Sequence, residues 1–169
     1  GLLVLAVVRA HGARRVVVTD VLAAKRDRAR QLGADAVVDA AASDAADQVR
    51  SALGESADVV FDCVAVEPTV RQAIMMASKG GTVVIVGVPA ADVSVPLAIV
   101  QDHQVRIQGS ATYLPEDYAE SIALLASGAV PVEQIVTRIR PVEEVAAAFE
   151  DSVSGEQIKV LIGMDPAFG

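Results

Sequence analysis

Asp20 closes the run Arg15-Val16-Val17-Val18-Thr19, so a carboxylate stands where a β-branched segment ends. An unbroken run of this kind is the pattern of a strand buried on both faces of a parallel sheet, with its last residue at the sheet's carboxyl edge. An acid there, about 20 residues after a glycine that opens a helix, takes the ribose hydroxyls of a dinucleotide's adenosine. Gly1 and Asp20 have this spacing. A complete glycine fingerprint also needs an upstream strand and two further glycines, which let the backbone turn tightly against the pyrophosphate. The chain opens on Gly1 and not on Met, so a segment whose first strand lies upstream is the expectation. On Gly1 alone, an ordinary amphipathic helix start stays open.

Few other residues carry the means for chemistry. The one cysteine, Cys63, excludes an internal disulfide and fits a reducing compartment, which makes the cytoplasm the expected location. Cys63 reads as a small packed hydrophobe and not as a nucleophile, because free cysteines are among the most buried residues. The two histidines, His11 and His103, lie far apart without metal-ligand spacing and read as surface residues. No metal ligand and no catalytic residue is therefore assigned within the chain. The net charge of -8 argues against nucleic acid or an anionic membrane as partner and favours a small-molecule ligand. No stretch reaches the roughly 20 uncharged apolar residues needed to span a bilayer.

The elements that must position Asp20 follow from the periodicities. Residues 2–10 read as a helix stopped at Gly12, and 15–19 as a strand. Residues 22–32 form a helix with Leu22, Ala29 and Leu32 inward, closed by Gly33. A short strand over 36–39 precedes a helix capped by Ser43, and 58–63 is another buried strand. Pro68 starts a helix that Lys79-Gly80-Gly81 terminates, and 82–86 is the strongest strand. A helical patch at 97–103 leads to a last strand of this series, 105–109. The succession is βαβα with short connections, which predicts an α/β fold with a doubly wound parallel sheet. After a boundary near Ala111, 116–127 and 142–152 read as helices and 158–163 as a strand. Apolar and polar residues alternate over 135–140, which favours a half-exposed and often antiparallel strand.

The motifs Gly1-Leu2-Leu3, Val18-Thr19-Asp20, Leu32-Gly33-Ala34-Asp35, Phe61-Asp62-Cys63, Gly80-Gly81-Thr82-Val83, Val86-Gly87-Val88, Val136-Thr137 and Ala147-Ala148-Phe149-Glu150 occur in order along the chain. Together they resemble the medium-chain dehydrogenase/reductase family, and within it the zinc-dependent sorbitol, butanediol and threonine dehydrogenase branch. The resemblance implies that residues 1–111 are a Rossmann-type NAD-binding domain lacking its first strand. It implies that 112–169 is an α+β tail returning to a chaperonin-10-like catalytic domain, whose zinc and catalytic residues lie upstream. Hydride would pass between a secondary alcohol or polyol and NAD.

By the same resemblance, Gly1 belongs to the phosphate turn, Asp20 accepts both adenosine ribose hydroxyls, and Lys25 reaches the same ribose. Asp20 would also repel a 2′-phosphate and so favour NAD over NADP, although Arg26 and Arg28 nearby keep NADP open. Cys63 and Val64 would line the adenosine side, where relatives commonly carry a glycine at the position of Ala65. The backbone of Val88, following Gly87, and that of Ser110 and Ala111 would face the nicotinamide carboxamide. Thr112 stands where relatives of the sorbitol branch often have an arginine. The strand ending at Ser110 would pair with a second subunit in a homodimer or homotetramer. Other readings are a zinc-free quinone or enone reductase of the same superfamily, a non-catalytic nucleotide-binding module, and a methyltransferase, whose similar sheet also places an acid on a ribose.

Overall fold

A computed structural model describes residues 1–164. Helix α1 (Leu2–Ala10) is followed by β1 (Val17–Asp20), α2 (Ala23–Gln31), β2 (Ala36–Asp39), α3 (Ala45–Leu53) and β3 (Ala57–Asp62). Then come α4 (Glu67–Met76), β4 (Ala77–Ile85), α5 (Leu97–Asp102), β5 (Arg106–Gly109) and α6 (Pro115–Ala126). Helix α7 (Val132–Ile135), β6 (Val136–Pro141), a 3-10 turn (Val142–Glu144), α8 (Val145–Val153) and β7 (Lys159–Gly163) complete the described chain. It divides into two compact units, the first spanning Gly1–Glu120 and the second starting at Ser121.

In the first unit β1 pairs with β2, and β3, β4 and β5 form a ladder in that order, every pair being parallel. Parallel neighbours need a crossover, and α2, α4 and α5 supply one for each pair. This is the doubly wound α/β pattern expected from the sequence. Among the described residues β1 and β3 share no ladder, the arrangement of such a sheet without the strand that would lie between them.

Helix α4 buries Val70, Ala73 and Ile74, spaced to share one face, against Ala77, Val83 and Val105. A second cluster joins Val38, Ala45, Val49 and Met76, and Val60 of β3 packs against both clusters. Apolar contact thus ties the two ladders together through α3 and α4. Polar contacts reinforce it: Gln72 Nε2 donates to the Ala40 carbonyl at 2.9 Å and Arg50 Nη1 to the Met75 carbonyl at 2.8 Å.

Several sequence expectations are corrected. Lys79-Gly80-Gly81 does not end a helix: α4 stops at Met76, and 77–85 is all strand. The register of β3 against β4 shifts between Ala57 and Val59, and Gly80 at φ 74° lets β4 bend there, so these glycines form an irregularity at the head of a strand. Residue 43 does not cap α3; Asp44 occupies that position, and its Oδ1 accepts from Gln48 Nε2 at 2.8 Å. Leu22 is half exposed and stands ahead of α2, whose buried residue is Ala29. Strand β3 is not buried on both faces either, since Val59 is 48% and Phe61 41% exposed.

The second unit brings the largest correction. Strands β6 and β7 pair in parallel, not antiparallel. The helix between them decides this, because α8 makes the segment a strand-helix-strand crossover and overrides the alternation of residues within β6. Arg140 on β6 anchors the crossover: its Nε donates to Asp151 Oδ2 at 2.6 Å and its Nη1 to Glu144 Oε2 at 2.6 Å, while Arg138 lies 3.8 Å from Asp151. Arg140, by hydrogen bonding first and then by its charge, holds the Asp151 carboxyl below the usual carboxylate range. A depressed carboxyl stabilises the fold above its unfolded value and loses that contribution as pH falls through its folded value. Hydrogen exchange of the β6 and β7 amides, corrected for intrinsic rates, should therefore accelerate below about pH 4. Asp151→Asn should remove that acid dependence and show faster exchange already at neutral pH; an unaltered profile in the variant would refute the assignment.

Candidate functional site

Five strands of the first unit run parallel within their ladders, so their carboxyl ends fall on common edges. Asp20 and Asp39 face each other in register at the ends of β1 and β2. Asp62, Ile85 and Gly109 are partners in register at the ends of β3, β4 and β5. Ligands of open α/β sheets bind at such carboxyl edges.

At the first edge, Asp20 Oδ1 accepts the Leu22 amide at 2.8 Å, so the residue turns the chain into α2 while a carboxylate retains lone pairs for other donors. Lys25 follows on the first turns of α2. Gly1 is the N-cap of α1, exposed, with its carbonyl accepting the Leu5 amide at 2.9 Å. Of the arginines that kept NADP open, Arg28 donates from Nη1 to Gln31 Oε1 at 3.1 Å and Arg26 is turned into the protein.

The second edge is knotted by Asp62, which sequence reasoning gave no role. It is 5% exposed, its Oδ1 accepts the amides of Val64 at 2.9 Å and Ala65 at 3.0 Å, and its Oδ2 accepts the Thr69 hydroxyl at 2.8 Å. Its carbonyl takes the amides of Val86 at 2.8 Å and Gly87 at 2.9 Å. An Asp closing a strand two residues before a turn is the available signal, since such side chains bond the backbone just ahead of them. The Thr69 hydroxyl also receives the Val66 amide at 3.2 Å and so caps α4.

These bonds bring the end of β4 against the turn that follows β3. A Cβ placed on Gly87 would lie 2.6 Å from the Val64 carbonyl carbon and 2.8 Å from the Ala65 nitrogen. Glycine is thus required by close backbone approach, more strictly than the sequence reading of a turn glycine implies. Ala65 sits at φ 60° and is 2% exposed, so a non-glycine residue holds a buried left-handed backbone at the position where the family resemblance implied glycine. Cys63 is half-buried with a free thiol, and Val64 and Val88 are exposed. The Ser110 amide donates to the Ile85 carbonyl at 2.9 Å, which carries 110–111 beside the end of β4. The ladder of β3 to β5 thus gathers Cys63, Val64, Gly87, Val88, Ser110 and Ala111, and the ladder of β1 and β2 carries Asp20 and Lys25.

Two substitutions test this packing. Gly87→Ala forces backbone apart and should cost more than about 2 kcal/mol in a denaturant titration of the full-length protein, by the usual scale of overpacking. Asp62→Ala should cost a similar amount, because it leaves the buried Ala65 amide and the partly buried Val64 amide without their acceptor. A shift of either midpoint by less than about 0.5 kcal/mol would contradict the description.

Among the described residues no three or more His, Cys, Asp or Glu side chains converge on a point able to hold a metal ion. Nor is any helix among them long and apolar enough to cross a membrane.

Comparison with known proteins supplies the family. Ovine (Ovis aries) sorbitol dehydrogenase is 35% identical over 99% of this chain and 48% of its own length. The crystal structure of 2R,3R-butanediol dehydrogenase from Bacillus subtilis superimposes with a TM-score of 0.88 at 22% identity, over 97% of this chain and 48% of that one. A protein of Sinorhizobium meliloti 1021 assigned as a zinc-binding dehydrogenase, solved bound to NADP, gives a TM-score of 0.83 at 30% identity, over 95% and 48% of the respective chains. The chain spans about half the length of these relatives. Residues 1–127 match the family described as zinc-binding dehydrogenase. The chain belongs to the zinc-binding dehydrogenase family.

Proposed function

We propose that this segment is the cofactor-binding part of an oxidoreductase that transfers hydride between a secondary alcohol or polyol and NAD. The observation that carries the reading is the Asp20 carboxylate at the carboxyl end of a parallel strand in a zinc-binding dehydrogenase chain. Asp20 accepts the adenosine ribose hydroxyls and repels a 2′-phosphate. Lys25 reaches the same ribose, Gly1 belongs to the turn under the pyrophosphate, and the backbone at Cys63 and Val64 lines the adenosine. Gly87, Val88, Ser110 and Ala111 offer backbone groups to the nicotinamide carboxamide, with Gly87 packed backbone to backbone against Val64 and Ala65 beneath them.

The described residues do not form a zinc site, so zinc belongs to a catalytic part outside them, where a bound metal would polarise the alcohol oxygen. Residues 1–111 form the NAD-binding domain in this reading and 112–169 the return to that catalytic part. The partners are a small-molecule alcohol and, across the exposed edge strand β5, a second copy in a cytoplasmic homodimer or homotetramer.

NADH binding to the full-length protein, followed by fluorescence titration, tests the reading. Asp20→Asn keeps an acceptor for the Leu22 amide and removes the charge, and should weaken NADH about 10-fold, or about 1.4 kcal/mol, without loss of folding. Unchanged affinity would sink the assignment.

A further inference from the structure

Arg26 is the guanidinium next to the proposed ribose site, and the structure shows it fully engaged on two sides. Its Nη1 donates to the Asp20 carbonyl at 2.7 Å, and its Nη2 lies 3.3 Å from Asp39 Oδ2. The Arg26 side chain is only 17% exposed, against 45% for Asp39. Asp39 is itself held, because its Oδ1 accepts the Ala41 amide at 2.9 Å. Asp39 stands opposite Asp20 in the ladder, so one arginine braces the ends of both strands.

We infer that Asp39 is a positioning residue for cofactor choice: it holds Arg26 against the ends of β1 and β2 and keeps its charge from a 2′-phosphate at the Asp20 ribose. The inference rests on the proposed NAD site. Dinucleotide folds that take a 2′-phosphate do so with an arginine close to this acid. Here that arginine is present in sequence but its two arms are spent on a carbonyl and a carboxylate, and its charge is balanced by Asp39. A guanidinium binds phosphate well when both arms of its fork are available together. Discrimination against the phosphorylated cofactor then has two sources in this chain, repulsion by Asp20 and withdrawal of Arg26 by Asp39.

The test measures binding of 2′,5′-ADP, NADH and NADPH to the full-length protein by calorimetry. Asp39→Asn keeps the acceptor for Ala41 and removes the balancing charge. It should tighten 2′,5′-ADP and NADPH about 5- to 10-fold while NADH changes less than 2-fold, the scale of one recovered charged contact. Adding Arg26→Gln to Asp39→Asn should cancel the gain. If the gain persists in the double variant, the lost carboxylate acted only through net charge and the assignment of Arg26 is overturned. An unchanged NADPH to NADH ratio in Asp39→Asn, with NADH binding intact, overturns the role of Asp39 alone. Failure of the unsubstituted protein to bind either dinucleotide overturns the proposed function together with this inference. Asp39→Ser, which also keeps an acceptor, reads the same ratio should Asp39→Asn fold poorly.

Discussion

The carboxyl edge of the larger ladder depends on one buried carboxylate. Burying a charge is costly unless donors replace the water it leaves, and Asp62 has its donors in the Val64 and Ala65 amides and the Thr69 hydroxyl. Because those donors belong to the turn after β3 and to the start of α4, satisfying the charge also fixes both. The Asp62 carbonyl then ties in Val86 and Gly87. The turn and helix start that follow Asp62 and the more distant end of β4 are held in one arrangement by the two polar ends of a single residue.

That arrangement leaves no room for side chains at its closest point. The approach of Gly87 to Val64 and Ala65 is backbone against backbone, so a methyl group there has nowhere to go. At Ala65 the constraint is angular instead. A left-handed backbone costs an L-residue about 1–2 kcal/mol, and burial of a methyl returns roughly 0.8 kcal/mol of it. The bond from the residue 65 amide to Asp62 fixes the turn in this conformation whether alanine or glycine stands there, so the alanine bears the rest as strain.

What the sequence made legible follows the same physics. The valine run ending in Asp20 stood out because a charge at the end of an apolar strand is conspicuous, and strand-helix alternation carried the parallel sheet. Asp62 also ends an apolar strand, and its one local signal, an aspartate just ahead of a turn, says that it meets the nearby amides but not that it is buried and bound by a helix hydroxyl as well. Gly80 and Gly81 are ambiguous in sequence because glycine serves a helix end and a strand irregularity alike, and only the pairing of β4 with β3 chooses between them. In the tail, residue alternation suggested an antiparallel pair, yet the intervening helix α8 constrains direction more strongly than any pattern within a strand. The clamp on Arg26 was invisible because Asp39, thirteen residues on, meets it only once β1 and β2 pair.

The exposed residues of β3 carry the last step. Val59 and Phe61 belong to a run whose composition fits burial on both faces, yet they are 48% and 41% exposed, and β3 is an edge of its ladder. Hydrophobic patterning records the surroundings in which a strand evolved, including neighbours contributed by other parts of a fold. The carboxyl edge of the ladders does not depend on such covering: it is built from backbone, glycine and a few carboxylates, whose hydrogen bonds to neighbouring main chain set their places.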